Sequence, residues 1–186
     1  MQKKLILIVG LPGSGKSSAA DFIKRKYDAG IVHSGDIIRE EVKRRGLEYT
    51  PQNDALIAHW FHSSGREKLV VKRIWNKIKN SKKNLIVIEG LRSEKQLKYL
   101  KAIAKTRPII ISVLASFNVR VKRELKRGRF GNKESIEYLK FRDKLEKKHG
   151  EDKLIRKADY KINNSKLNIR QTDAKIYEIM RKILAK

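Results

Sequence analysis

At 186 residues with 40% hydrophobic side chains, the chain is sized for one domain with a real core, which excludes global disorder. Lys and Arg number 46 against 20 Asp and Glu, and the formal charge of +26 predicts attraction to polyanions, whether nucleotides, nucleic acid or anionic membrane. There is no Cys, which excludes disulfides, thiolate metal sites and cysteine nucleophiles, and no apolar run approaches the roughly 20 residues that span a bilayer.

The first apolar run, residues 5–9, is too short for the core of a signal peptide, so a soluble, cytoplasmic protein with no membrane contact is expected. This run is β-branched and nearly continuous, the pattern of a strand covered on both faces. Residues 16–27 read as a helix stopped by Gly30, and residues 31–33 as a second strand. Asp36 is a candidate cap for a helix running to Gly46, and Thr50-Pro51 joins a cap residue to proline at the first helical position. Val71, Ile74, Trp75 and Ile78 recur at the spacing of an amphipathic helix. Residues 85–88, 109–114 and 159–162 read as further strands, and Ile176, Ile179, Met180, Ile183 and Leu184 place a helix at the end. Strand alternating with helix predicts a doubly wound α/β domain on a parallel sheet. Between the second and third strands lies more helix than a crossover needs, so residues 36–65 are expected to form an inserted arm. Residues 127–150 interrupt the alternation a second time.

Gly10-Leu11-Pro12-Gly13-Ser14-Gly15-Lys16-Ser17 fills every fixed position of G-x-x-x-x-G-K-[ST] between an apolar strand and a helix. Glycines let successive backbone N–H groups turn inward as a nest for phosphate, and the following helix adds the positive end of its dipole. The candidate ATP-binding residues are Gly10, Pro12, Gly13, Ser14, Gly15, Lys16 and Ser17, with the adjoining Ser18. Lys16 is expected at the β- and γ-phosphates and Ser17 at Mg²⁺.

Ser34-Gly35-Asp36-Ile37-Ile38-Arg39 follows the second strand and Glu89-Gly90-Leu91-Arg92 the third, where ligands of open α/β sheets bind. Two arginines there suggest a second anion site facing the first. A carboxylate at Glu89 is costly to bury without a task, and holding Mg²⁺ together with Ser17 is the expected one. Asp36 orients the acceptor or its water, accepts a proton, or caps its helix.

These motifs together resemble the nucleoside monophosphate kinase branch of P-loop proteins, which includes adenylate kinase and dephospho-coenzyme A kinase. More closely they resemble an uncharacterised family of adenylate-kinase-related proteins, from the phosphate loop to Ala158-Asp159-Tyr160-Lys161-Ile162-Asn163. The resemblance implies a three-layer α/β/α sandwich with five parallel strands in the order 2-3-1-4-5, an acceptor-binding arm over residues 36–65 and a short lid over residues 127–150. It implies that Arg39 and Arg92, with Ser34, Gly35 and Gly90 beside them, hold the acceptor's phosphate. Gln96 matches the position that reads the adenine of AMP, but Ser93-Glu94-Lys95-Gln96 equally fits a capping box. Members usually carry aspartate where Glu89 stands; its extra methylene leaves direct and water-mediated Mg²⁺ coordination open. Arg123 and Arg127 match a lid pair four residues apart that stabilises the transferring charge, with Arg129 a weaker candidate, and Arg142 resembles a returning lid arginine.

The implied activity is a kinase: Mg·ATP donates its γ-phosphoryl group to a nucleoside monophosphate, AMP by preference, or alternatively to dephospho-coenzyme A. A second reading is an RNA- or ribosome-associated ATPase. Its motive is the acid-free run Lys68, Lys72, Arg73, Lys77, Lys79, Lys82 and Lys83, which suits a polyanion as well as a solvated face. Trp60, in His59-Trp60-Phe61-His62, is a candidate to stack on a base or simply to pack.

Overall fold

The first apolar run becomes β1 (Lys4–Val9), the middle strand of a five-stranded parallel sheet. In the computed structural model, which describes residues 3–63, 65–128 and 131–185, it is joined by β2 (Gly30–His33), β3 (Leu85–Glu89), β4 (Ile109–Leu114) and β5 (Tyr160–Asn163). The order is β2-β3-β1-β4-β5, as the resemblance implies. Ile8 lies opposite Glu89 of β3 and Val9 opposite Ser112 of β4, so the strand ends form one carboxyl edge at which the loops gather.

The described helices are α1 (Lys16–Tyr27), α2 (Ser34–Arg44), α3 (Pro51–His62), α4 (Glu67–Ile78), α5 (Glu94–Ala104), α6 (Phe117–Arg127), α7 (Asn132–His149), α8 (Glu151–Arg156) and α9 (Ile169–Leu184). Side chains alternate along a strand, so β1 feeds two cores at once. Leu5, Leu7 and Val9 pack with apolar side chains of α2, α3, α4, α5 and α8. Ile6 and Ile8 pack on the other face with Ala19, Ala20 and Ile23 of α1 and Ile176, Met180 and Ile183 of α9. Because both faces are covered, β1 can be apolar throughout.

Two local expectations are corrected. α2 starts at Ser34, directly from β2 with His33 as its cap residue, so Asp36 lies in the first turn and does not cap it. The hydroxyl of Ser34 is spent on Gly90 O at 2.6 Å, tying the β2–α2 junction to the end of β3. β5 starts at Tyr160, because the Asp159 carboxylate instead accepts from Ile110 N at 2.8 Å and pairs with Arg107 at 2.5 Å. Thr50 caps α3 as expected, accepting from Asn53 N at 3.1 Å. Most of the second interruption is one helix, α7, of 18 residues. No helix among the described residues is long and apolar enough to cross a membrane.

Gly10, where β1 enters the loop, has φ +151°, and a Cβ there would stand 2.3 Å from Val113 O. Gly46, after α2, has φ +68° and nothing within 4 Å of its Cβ position. Gly46→Ala should therefore cost only the backbone strain, about 1 kcal/mol, while Gly10→Ala should cost at least about 2–3 kcal/mol because backbone must also move. Urea unfolding of the two variants checks this; equal losses would mean that the close approach to β4 does not matter.

Candidate active site

The phosphate loop is braced from outside, leaving its inner face for a ligand. Arg120 Nη1 donates to Pro12 O at 3.1 Å, Arg123 Nη1 to Ser14 O at 3.0 Å, and Asn164 Nδ2 to the same oxygen at 2.9 Å. Arg120 is itself buried and forked onto Asp143 of α7 at 2.7 and 2.5 Å. Gly15 takes the left-handed conformation, φ 97°, that starts α1 at Lys16. Ser14 Oγ is buried with no hydrogen-bond partner among the described residues.

A cavity of about 310 Å³ opens above the carboxyl edge of the sheet. From the loop it takes Pro12, Gly13, Gly15, Lys16 and Ser17. From the second anion site it takes Ser34, Gly35, Arg39, Gly90 and Arg92, so both groups meet in one space. Glu89, Arg127 and Arg142 also line it. Six predicted residues are not on the cavity wall: Gly10 and Ser14 are buried in the loop, Ser18 is exposed on α1, Arg123 lies on the loop carbonyls, Asp36 pairs with Arg39, and Gln96 is buried in the first turn of α5. The capping box is half formed: Ser93 Oγ accepts from Gln96 N at 3.2 Å, but the buried Gln96 Oε1 accepts from Arg92 N, one residue before the cap, at 2.8 Å. Arg129 lies outside the described residues.

Nearly every cation in the cavity is matched by an acid. Asp36 pairs with Arg39, three residues on, both half exposed. Lys16 Nζ stands 3.5 Å from Glu89 Oε1, and His33 Nδ1 lies 3.0 Å from Glu89 Oε2. Burial opposes ionisation of Glu89, but Lys16 and the His33 hydrogen bond outweigh it and hold its pKa below the ordinary carboxylate value. The same hydrogen bond raises the pKa of His33. Arg92 Nη1 lies 3.2 Å from Glu146 Oε1. Arg142, buried between α3 and α7, pairs with Asp54 and donates to Glu146 Oε1 at 2.6 Å. Burial raises the pKa of Glu146, but Arg92 and Arg142 together bring it well below normal. Glu151, the first residue of α8, also lines the cavity and accepts from Gly10 N at 3.1 Å. Burial and the Glu146 charge push its pKa up to about 8.

Donor chemistry fits Mg²⁺. Ser17 and Glu89 offer hard oxygens on the cavity wall, while no group of three or more His, Cys, Asp or Glu among the described residues forms a metal cage. A metal sharing one or two protein oxygens with phosphate and water is the Mg²⁺ pattern.

Beside the cavity, three histidines stack where α3 meets α7. His62 and His149 have ring centroids 4.1 Å apart, and His59 lies 5.9 Å from His149. Both ring nitrogens of His149 are buried without a partner among the described residues. Burial, with Arg92 next for His62, lowers both pKa values, to about 2 for His62 and about 4 for His149. Trp60 is packed: the guanidinium groups of Arg45 and Arg66 lie 4.2 and 4.6 Å from its ring. In the basic run, Arg73 and Lys77 reach Glu41 and Glu40 of α2 at 2.9 and 2.5 Å, and Lys83 pairs with Asp28. Lys68, Lys72, Lys79 and Lys82 are exposed.

Arg120, Asp54, Glu146, Glu151 and the loop-bracing Asn164 are absent from the residues that motif spacing selects. Arg120 and Glu146 carried one visible signal, since both fall on amphipathic helical positions where an apolar residue is the norm.

Residues 9–140 match the AAA domain family AAA_17. Over 91% of both chains, the sequence is 34% identical to a UPF0200 protein of Methanosarcina barkeri. It is 31% identical to a UPF0200 protein of Hyperthermus butylicus, over 96% of this chain and 94% of that one. Among solved structures it is similar in fold to shikimate kinase from Acinetobacter baumannii in complex with shikimate, with a TM-score of 0.59 and 16% identity over 99% and 96% of the two chains. It is similar also to TT1252 from Thermus thermophilus, with a TM-score of 0.61 and 17% identity over 100% and 98%.

Arg142→Ala should cost about 3–5 kcal/mol of stability, because Asp54 would keep a buried charge without its cation and Glu146 would keep Arg92 alone; a loss below about 1 kcal/mol in denaturant unfolding would refute the fork. His62 is neutral when folded and takes up a proton when unfolded below pH 6.5, so the unfolded state binds more protons and stability decreases as the pH is lowered. Relative to His62→Phe, the parent protein should lose up to about 1.4 kcal/mol per pH unit between pH 6 and 4.5. Parallel melting curves for the two would contradict a buried neutral ring.

Proposed function

We infer the activity of a chain that belongs to the UPF0200 family and carries a P-loop kinase-like fold: it transfers the γ-phosphoryl group of ATP to a nucleoside monophosphate, AMP being the acceptor favoured. The observation that carries this reading is that Lys16 of the phosphate loop and the pair Arg39 and Arg92 line a single cavity. A donor phosphate and an acceptor phosphate bound there would meet across the carboxyl edge of the sheet.

Inward N–H groups of the loop and Lys16 hold the donor's β- and γ-phosphates. Ser17 and Glu89 hold Mg²⁺, which when bound neutralises charge on those phosphates. Arg39 and Arg92 take the acceptor's phosphate, exchanging their bonds to Asp36 and Glu146 for bonds to phosphate oxygens. The attacking oxygen of a monophosphate is already ionised, so the step needs positioning and charge neutralisation more than a base. Arg127, on the cavity wall and only loosely held by Glu124 at 3.3 Å, supplies charge to the transferring group. Arg123 and Arg142 act by positioning, one on the loop and the other between α3 and α7. We assign the acceptor arm to α2 and α3 and the lid to α7, whose closure excludes water from the transfer.

A coupled assay offering ATP with AMP, CMP, GMP, UMP or dephospho-coenzyme A tests the reading. Phosphorylated AMP is expected; ATP loss with no phosphorylated acceptor would replace it by an ATPase switch. Lys16→Ala should lower kcat about 100-fold or more. Arg39→Ala, whose partner Asp36 is exposed, should raise KM for the monophosphate about 10-fold or more and leave KM for ATP within about twofold. If both constants move together, Arg39 does not belong to the acceptor side.

A further inference from the structure

Glu151 is a buried acid of the cavity wall that this mechanism leaves without a task. It is 2% exposed, and one oxygen is fixed by the N–H of Gly10 where β1 enters the phosphate loop. Its second oxygen has no hydrogen-bond partner among the described residues, and neither oxygen is within ion-pair distance of a described cation.

Charge bookkeeping around it is short. Lys16 is committed to Glu89, Arg92 to Glu146, and Arg142 to both Asp54 and Glu146. Three permanent cations, with His33 beside Glu89, therefore serve four enclosed acids, Glu89, Glu146, Asp54 and Glu151, and none of them is paired with Glu151. The groups acting on Glu151 are Glu146 at the end of α7, which disfavours its ionisation, and Lys16, Arg92 and the Gly10 N–H, which favour it. Burial and Glu146 prevail, so the proton stays on Glu151 at neutral pH. An ionised carboxylate beside an arriving phosphate would repel it, whereas a protonated one is a hydrogen-bond donor in a site that excludes water.

We propose that Glu151 is a substrate-binding residue in its uncharged form, its free oxygen donating an O–H hydrogen bond to a phosphate oxygen held between Lys16 and Arg92. This rests on the phosphotransferase reading of the cavity. No proton is transferred in the reaction by this group; it stays on Glu151 throughout, and the bound phosphate makes its loss still harder.

Calorimetric titration with ATP and, separately, AMP, without Mg²⁺ and in two buffers of different ionisation enthalpy, tests this at pH 7 and pH 9. At pH 9 the phosphates are fully ionised, so proton uptake comes from the protein. The parent protein should take up close to one proton per ligand at pH 9 and bind about 10-fold more weakly than at pH 7. Glu151→Gln, which keeps an acceptor for Gly10 N and a donor for phosphate, should bind at pH 7 within about threefold of the parent, take up no proton and show a flat pH profile. Glu151→Ala should bind about 10-fold more weakly at pH 7, with melting curves confirming that it is folded. Identical proton uptake in the parent and Glu151→Gln would overturn the assignment while leaving the kinase reading intact. So would proton release from the parent, but not from Glu151→Gln, on adding Mg²⁺ alone, since that would make Glu151 an ionised metal ligand. Failure of the parent to bind either nucleotide at pH 7 would instead remove the kinase reading itself.

Discussion

Sealing Arg142 between α3 and α7 sets the terms for the rest of the cavity. An isolated buried guanidinium is too costly to keep, so Asp54 from α3 and Glu146 from α7 must both come to it. That requirement docks the two helices against each other and brings Glu146 within reach of Arg92 at the end of the sheet. Glu146 in turn raises the cost of ionising Glu151, five residues on, whose carboxyl reaches the first glycine of the phosphate loop. One continuous set of charges thus links α3, α7, the β3–α5 segment and the loop.

A second set of contacts holds the loop from behind. Arg120 and Arg123 spend their donors on carbonyls of residues 12–14, and Arg120 is anchored by Asp143 of the same α7. α7 therefore connects to both the loop, through Asp143 and Arg120, and Arg92 at the end of the sheet, through Glu146. If α7 is the proposed lid, its movement would act on both at once. Pairing each cavity arginine with a carboxylate also keeps the site ordered before a phosphate arrives. The exchange of acid for phosphate is closer to neutral than the filling of an uncompensated cationic pocket.

Much of this was legible in the residues. The apolar runs of β1, β3 and β4 are short and β-branched because both their faces are covered, and that pattern is local enough to read directly. The phosphate loop is equally local, since its glycines and Lys16 act within one turn of chain. Caps were less certain. Thr50 behaves as its type suggests, whereas Asp36 does not cap α2, because β2 runs into that helix without a loop residue to spare. Gln96 suited two roles by spacing; the structure gives its side chain a third, accepting from Arg92 N, one residue before the cap Ser93.

Basic residues were the hardest to sort. In a chain with 46 of them, type and spacing do not separate Arg120, Arg123 and Arg127, which follow one another along α6. Their directions on the helix send the first two to the loop carbonyls and the third to the cavity. By itself the sequence determined the strands, the parallel α/β class and the phosphate loop, because each depends on neighbours along the chain. Only the tertiary structure decided which acid faces which arginine, and so which buried carboxyl has its pKa raised. Coulomb interaction and burial depend on distance through space, and Lys16–Glu89, Arg92–Glu146 and Arg142–Asp54 are each separated by tens of residues along the chain.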